Sequence, residues 1–191
     1  MARDFGFAPN PFFRFCTLAT CKPKIRKHAQ VEDWIVGTGS AKNTKRGYLV
    51  FAMCVTEIMS FNGYWNDPRF QKKKPNLCGS LKQAFGDNIY LYSNNFWRQE
   101  NSHHSYEDGS PNVTNIDHDT QTDRLLISDD YVYFGGSGPI IPTHFRNYRG
   151  YDICAVRGHK NNYPEKLIND FVVWIRSLGV KGYISSPIDW D

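Results

Sequence analysis

Two apolar runs of strand character, "DWIVGTGS" (33–40) and "GYLVFAMCVTEIM" (47–59), flank the polar, basic tip "AKNTKR". Branched and aromatic residues bounded by Gly, Asn and Lys favour extended chain with a turn between the runs. This spacing predicts an antiparallel hairpin. It also bears on the GTGS tetrapeptide, which resembles the opening of a phosphate-binding loop. Such a loop places its glycines where a strand turns into a helix, so that backbone N–H groups and the helix dipole meet the phosphate. Here "AKNTKRG" is too polar and too short to carry a buried helix, and another strand follows it. Gly37 and Gly39 are therefore expected at alternate positions on one face of a strand. Two positions without side chains leave room for a neighbouring ring, a backbone or a ligand, with Thr38 and Ser40 beside it.

The remaining pattern is mixed. "FFRFCTLAT" (12–20) and "DNIYLYS" (87–93) read as strands, "KPKIRKHA" (22–29) as a short basic helix or turn, and "FNGYWNDPRF" (61–70) as helical or irregular. "RLLIS" (124–128) and "YVYFGG" (131–136) predict a second hairpin turning at "SDD". "GPIIP" (138–142) is too proline-flanked for a central strand, and "YDICAV" is strand-like. From Asn94 to Asp123 the chain is polar with few aliphatics, which predicts a long loop, functional or partly disordered. In "YPEKLINDFVVWIRSLG" Pro164 takes the first helical position and Gly179 follows the end. Leu167, Phe171, Trp174, Ile175 and Leu178 form the apolar face of that helix, suited to covering a sheet. With 191 residues and neither βαβ alternation nor a helix bundle, the expectation is one α/β domain of the α+β kind over 1–191.

A net charge of +4 permits an anionic ligand without demanding one. Aromatic residues make up 15% of the chain, enough for some rings to line a cavity as well as fill a core. The five cysteines show no CxxC spacing, so neither a zinc knuckle nor a redox dithiol is indicated, and a reducing compartment is expected. No apolar run reaches membrane-spanning length and the first residues lack signal-peptide order. A soluble, cytoplasmic protein without a cofactor or metal is the expectation.

Several clusters suit a planar, anionic ligand. Lys22, Lys24 and Arg26 are phosphate candidates or a solvated basic edge; Cys21 stands beside them with no identifiable partner base and is not read as a nucleophile. In "YWNDPRFQKKKP" Trp65, Asp67, Arg69 and Phe70 interleave rings with charge, as stacking plus phosphate contact requires. His103 and His104 are adjacent, unsuited to a two-histidine metal site, yet each is a candidate acid, base or base-edge contact. Asp117, His118, Asp119 and Asp123 give a weak hard-cation pattern without the glycine turn of an EF-hand. "RGHK" offers Arg157, His159 and Lys160 for phosphate and base. Tyr133 shares a strand face with Tyr131. No nucleophile elbow and no zinc-deaminase signature is present.

The order "TLATCKPKIRKHA…DWIVGTGSA", "GYLVFAMCVTEIMSFNGYWNDPRFQKKKP", "GDNIY", "SHHS", "LLISDDYVYFG", "IP" and "RGHK" resembles the nucleotide modification associated domain of the second type, over roughly 15–178. A partial likeness extends to PUA-like EVE and ASCH domains, through Asp33, Val55–Glu57 and Tyr64–Phe70. The resemblance implies a small, curved, mostly antiparallel β-barrel with flanking helices. It also implies recognition of a nucleotide or a non-standard nucleic-acid base in bacterial or phage DNA modification or defence. Aromatics of 64–70 and 131–134 would stack the base, and Asn88, Asp33 or His159 would read its edge. The alternatives are an enzyme of base or nucleotide modification, with His104 or His159 and an Asp as acid–base partners, and a sensor of a free nucleotide.

Overall fold

The computed structural model describes residues 1–154 and 158–190. Its elements run β1 (Cys16–Leu18), α1 (Pro23–His28), β2 (Trp34–Thr38), β3 (Leu49–Cys54), β4 (Glu57–Met59), α2 (Phe61–Asn66), α3 (Leu81–Ala84), β5 (Tyr90–Ser93), β6 (Phe96–Gln99), α4 (Val113–Asp119), β7 (Leu125–Ser128), β8 (Asp130–Tyr133), α5 (Thr143–Arg146), α6 (Glu165–Ser177) and β9 (Gly182–Tyr183). Short 3-10 helices lie between them, the longest at Pro68–Lys73. The strands form sheets of order β2-β3-β8-β9 and β1-β7-β4 and a β5-β6 hairpin, antiparallel except at β8–β9.

The predicted hairpin is present: β2 and β3 pair from Trp34↔Cys54 to Thr38↔Leu49. The apolar run 47–59 does not stay in one sheet, however. The Val55 N–H donates to the Asp33 carbonyl at 2.8 Å, and the next N–H, of Thr56, donates to Ile127 at 2.9 Å in the other sheet. β4 therefore pairs with β7. The reverse crossing occurs at Asp129. β7 pairs with β1 and β4 while β8 pairs with β3, so the expected hairpin of 124–136 does not form. The Ser128 hydroxyl donates to the Asp130 carbonyl at 2.9 Å and accepts its N–H at 3.1 Å, which makes the corner. Strands that switch sheets at such bends join two packed layers.

These layers do not close. The PUA-like barrel expected from the sequence is not formed, because among the described residues no pairing joins the outer strands β1 and β4, or β2 and β9. The architecture is α+β, with small, mostly antiparallel sheets and helices around them. The polar stretch 94–123 is also not one long loop, since it contains β6 and α4. Helix α4 buries only Ile116 and Asp119, too little to leave an apolar period in the sequence, and its start is capped by Asn112, which accepts the Asn115 N–H at 3.2 Å.

Helix α6 covers the sheet as its pattern implies. Leu167, Phe171 and Ile175 pack with Leu49, Ala52 and Val132, and the partly buried Trp174 and Leu178 extend the contact. Pro164 is the N-cap, and the helix starts at Glu165, one residue after the expected first position. The strand-like "YDICAV" is not a strand up to Cys154; its last two residues and Arg157 lie outside the described residues. No helix among the described residues is long and apolar enough to cross a membrane, and the five cysteines are free thiols.

β1 is anchored by a fully buried polar group. The Lys73 ammonium donates to the Asn10 carbonyl (3.0 Å), Asn10 Oδ1 (2.6 Å) and Thr17 Oγ1 (3.0 Å). The Thr17 hydroxyl donates to Asp87 Oδ2 at 2.6 Å, and Tyr64 donates to Asp87 Oδ1 at 2.8 Å. Burial lowers the Lys73 pKa to about 8 and raises that of Asp87, with each charge partly supporting the other.

The question of GTGS is answered by contacts. A Cβ on Gly37 would stand 2.1 Å from a Phe51 ring carbon, and one on Gly39 2.1 Å from the Lys45 carbonyl oxygen. A ring and a backbone fill the space. Gly37→Ala should accordingly destabilise the fold by roughly 1–3 kcal/mol, the scale of overpacking, read as a lower urea midpoint at unchanged slope. Gly136→Ala, whose Cβ would meet nothing nearer than 4.0 Å, should leave the midpoint in place.

Candidate active site

The site is built where β1 leads into α1. After Leu18 the chain passes the buried Ala19 and Thr20, then takes left-handed backbone at Cys21 (φ 55°) and Lys22 (φ 45°). Pro23, with its fixed φ, then opens the helix. A sharp strand-to-helix turn of this kind holds a nucleophile out from the sheet, and left-handed non-glycine residues cost of order 1–2 kcal/mol each. Polar contacts hold the turn. The Cys21 N–H donates to Asp119 Oδ1 at 2.7 Å, and Arg26 Nε donates to the Cys21 carbonyl at 2.9 Å.

His104 comes from a hydrogen-bonded turn in the polar segment. The Ser102 N–H donates to Ser105 Oγ at 3.0 Å and the Ser105 N–H to the Ser102 carbonyl at 3.0 Å. The His104 carbonyl accepts from Asn115 Nδ2 at 2.8 Å, which ties the turn to α4. Its imidazole lies between two groups: Nε2 is 3.6 Å from Cys21 Sγ, and Nδ1 is 2.8 Å from Asp119 Oδ2. With the Nδ1 hydrogen on Asp119, Nε2 is the nitrogen presented to the thiol.

Asp119, at the end of α4, has no exposed surface. Its Oδ2 also accepts the Tyr90 hydroxyl at 2.9 Å, and its Oδ1 lies 3.2 Å from His118 Nδ1. Gln99 Nε2 donates to the Tyr90 oxygen at 3.2 Å. Burial opposes the Asp119 charge, but the hydrogen bond and charge of His104, with the Tyr90 and Cys21 donors, outweigh it and hold the carboxyl below the usual range. Burial likewise opposes a charged His104. The hydrogen bond to Asp119, with Cys21 adding to it, prevails and raises its pKa to about 9. Cys21, His104 and Asp119 thus stand in line, sulfur to imidazole to buried carboxylate.

The same three donors are the His/Cys/Asp group that could hold a metal ion among the described residues, their ligand atoms lying within 4.8 Å of one another. Both Asp119 oxygens already face donors, so ligation by Asp119 would break those contacts. A thiol and one imidazole alone fall short of the three protein ligands usual for a catalytic zinc. The donor set fits proton transfer better than coordination.

The model of the family described as nucleotide modification associated domain 2 matches residues 1–191. The chain belongs to this family. No curated protein and no solved structure matches it.

In this member of the family, Arg26 and His104 contact Cys21, Lys22 and Lys24 follow it in the chain, and the His103 ring lies against those of Phe5, Phe7 and Phe85. Lys22 and Lys24 are exposed on the turn and α1. Arg26 is fully buried, its guanidinium directed at the carbonyls of Cys21, Asp119, Thr122 and Arg124. The other residues singled out from the sequence have different surroundings. Arg69 makes a two-point contact with Glu57 (2.8 and 2.9 Å) and also bonds Asp67. Trp65 lies under the Lys74 ammonium at 3.8 Å. Phe70, Asn88 and Tyr133 are buried; Asn88 Nδ2 donates to the Tyr64 and Phe70 carbonyls, and Tyr133 donates to Asp4 at 2.6 Å. Asp33 is exposed and accepts the Gln30 N–H, while Thr38 and Ser40 continue from β2. His159 and Lys160 are exposed, the latter over the Tyr151 and Tyr163 rings at 5.1 Å each.

Asp119, Tyr90 and Gln99 were not singled out from the sequence as partners of a catalytic histidine. The one available signal is weak: a cysteine just before Lys-Pro after a strand, with His and Asp in the polar segment.

Because the folded state raises the His104 pKa above its ordinary 6.5, its ion pair contributes stability fully below that pH and loses it as pH rises through about 9. The difference in unfolding free energy between wild type and His104→Gln should therefore be largest near neutral and mildly acidic pH and shrink across that window. Denaturant unfolding at a series of pH values measures it; a constant difference would exclude the ion pair.

Proposed function

We propose that the chain is a thiol-dependent acyl-transfer enzyme of nucleotide or base modification, with Cys21 as nucleophile, His104 as acid–base group and Asp119 as the residue that orients it. The observation that carries this reading is the continuous line from Sγ through imidazole to a buried carboxylate, at 3.6 and 2.8 Å, on a left-handed strand-to-helix turn. Membership of a family associated with nucleotide modification supports a nucleotide or nucleic acid as acceptor.

The chemistry follows from the geometry. The sulfur attacks the carbonyl carbon of an acyl donor such as an ester, thioester or carboxamide. As the C–S bond forms, the bond to the leaving group breaks, and His104 Nε2 passes its proton to the departing atom. An amino or hydroxyl group of the nucleotide then attacks the thioester and gives its proton back to Nε2, and the C–S bond breaks to restore the pair. Asp119 keeps Nε2 aimed at sulfur throughout, and Tyr90 and Gln99 hold Asp119.

Alkylation by iodoacetamide tests the reading without knowledge of either substrate. Cys21 should react fastest of the five thiols at pH 7, ahead of the exposed Cys78, which lacks a base, while the buried Cys16 and Cys154 stay protected. His104→Ala should slow Cys21 by about 100-fold or more, the usual scale for a positioned base, and leave Cys78 unchanged. Equal rates at Cys21 and Cys78 in wild type would overturn it.

A further inference from the structure

The turn that leads into β1 presents a cation on backbone its sequence does not favour. Asn10 and Thr17 exchange backbone N–H bonds at 2.8 and 2.9 Å, and between them Phe13 and Arg14 both take left-handed backbone (φ 58° and 77°). Turns with two such central residues normally take Asn and Gly, because a Cβ is crowded there. The strained turn carries Arg14 to a cavity of about 490 Å³ that Asp129 also borders. The Asp129 N–H donates to Thr56 Oγ1 at 3.3 Å. Both side chains are exposed, and among the described residues neither has a hydrogen bond or ion pair. One basin is therefore bordered by opposite charges that do not neutralise each other.

A second cavity, of about 240 Å³, adjoins the first and shares Tyr131 and Lys181 with it. Its wall is largely apolar, from Trp34 on β2, Val132 on β8, Ile175 on α6 and Val180, which keeps 40% of its surface exposed. The charges at its rim are already engaged. Arg176 bonds both Asp130 oxygens and lies 4.9 Å from the Trp34 ring, and Lys181 reaches Asp130 at 3.5 Å. Both cavities lie away from the thiol: Cys16 pairs with Ser128, the neighbour of Asp129, whereas Cys21 follows the other end of β1.

We propose that the two cavities together bind a free amino acid with an apolar side chain. Its carboxylate meets Arg14, its ammonium meets Asp129, and its side chain enters the slot between Trp34, Ile175 and Val180. This goes beyond the thiol reading and does not depend on it. Charge complementarity selects the occupant. An anion alone would meet Asp129 with like charge, and an amine alone would do the same at Arg14, whereas a zwitterion satisfies both. The Arg14 guanidinium can take a carboxylate by two parallel hydrogen bonds. A residue within a peptide has neither charge, since both groups are consumed in amide bonds. The slot beside the charges supplies apolar burial for a side chain, and cavities of this size suit a small molecule. Left-handed backbone at Phe13 and Arg14 is the kind of strain that ligand clamps retain.

Isothermal titration calorimetry of the full chain with L-leucine, L-leucinamide, N-acetyl-L-leucine and glycine tests this. Leucine should bind. The other three lack the carboxylate, the ammonium or the side chain, and each should bind about tenfold more weakly or worse. Arg14→Gln should weaken leucine by about tenfold or more and leave leucinamide as it was. Asp129→Asn should weaken leucine likewise and leave N-acetylleucine unchanged. Because both side chains are exposed and without partners, each variant should keep the wild-type urea midpoint, which separates a lost contact from a lost fold. Leucinamide or N-acetylleucine binding as tightly as leucine would overturn the zwitterion, and glycine matching leucine would overturn the slot. Leucine that does not bind, or that binds both variants as it binds wild type, would remove the site altogether. The alkylation ratio of Cys21 to Cys78 reports on the thiol separately, so either reading can fail without the other.

Discussion

A guanidinium with no exposed surface must replace its whole hydration shell. At Arg26 the replacements are the carbonyl oxygens of Cys21, Asp119, Thr122 and Arg124, with the Asp119 carboxylate as the first of the charges that support it. Arg124 returns the contact, donating to the Arg26 and Ala29 carbonyls at 3.2 and 2.8 Å. Segments 93 to 98 residues apart in sequence are thereby fixed against one another. A buried guanidinium of this kind adds little net stability, because desolvation consumes most of what its hydrogen bonds return, but removing it leaves these carbonyls without their donor. Its value here is positional. It sets the end of α4 against the start of α1, so that Asp119 reaches the Cys21 N–H and the His104 ring together.

A second buried network performs the same service a few residues upstream. Thr17, in the middle of β1, is held by Lys73 on one side and Asp87 on the other. Cys21 is held by Asp119 and Arg26. The left-handed residues 21 and 22 therefore follow directly on a strand whose position is fixed by contacts from distant parts of the chain. Strained backbone persists only where its surroundings over-determine it. A thiol mounted this way keeps its distance to His104 without help from a substrate, which is what preorganised nucleophilic chemistry needs.

What was legible in the sequence is what apolar periodicity encodes. The β2–β3 hairpin, the short basic helix α1 and the covering face of α6 are all present near their expected bounds. The sheet exchange was not legible, because a strand crossing from one layer to another at Val55–Thr56 keeps an unbroken apolar run, and "SDD" between two such runs looks the same in a hairpin and a corner. The barrel inferred by resemblance fails at the same point: among the described residues, no pairing joins the outer strands to close the sheets. The aromatic count was also ambiguous in kind. Tyr64, Phe70 and Tyr133 keep their rings in the core, with the two tyrosine hydroxyls on the buried Asp87 and Asp4, whereas Phe5, Phe85 and Trp190, from unpatterned segments, keep partial exposure.

The polar segment 94–123 shows why the site itself escaped pattern reading. A helix is recognised by an apolar stripe, yet α4 buries one aliphatic residue and one carboxylate, so its inward face is chemical rather than hydrophobic. The turn that presents His104 is held by serine hydroxyls and backbone, and the base by Asn115 and Gln99, all residue types that also describe a solvated loop. Local propensity and pattern agree across a sequence except where function displaces them. Polarity without period, spread over a stretch too long for an ordinary connection, was thus the trace left by a buried carboxylate. The thiol that faces His104, Cys21, stood some eighty residues earlier at the end of a strand, so no local pattern could join the two.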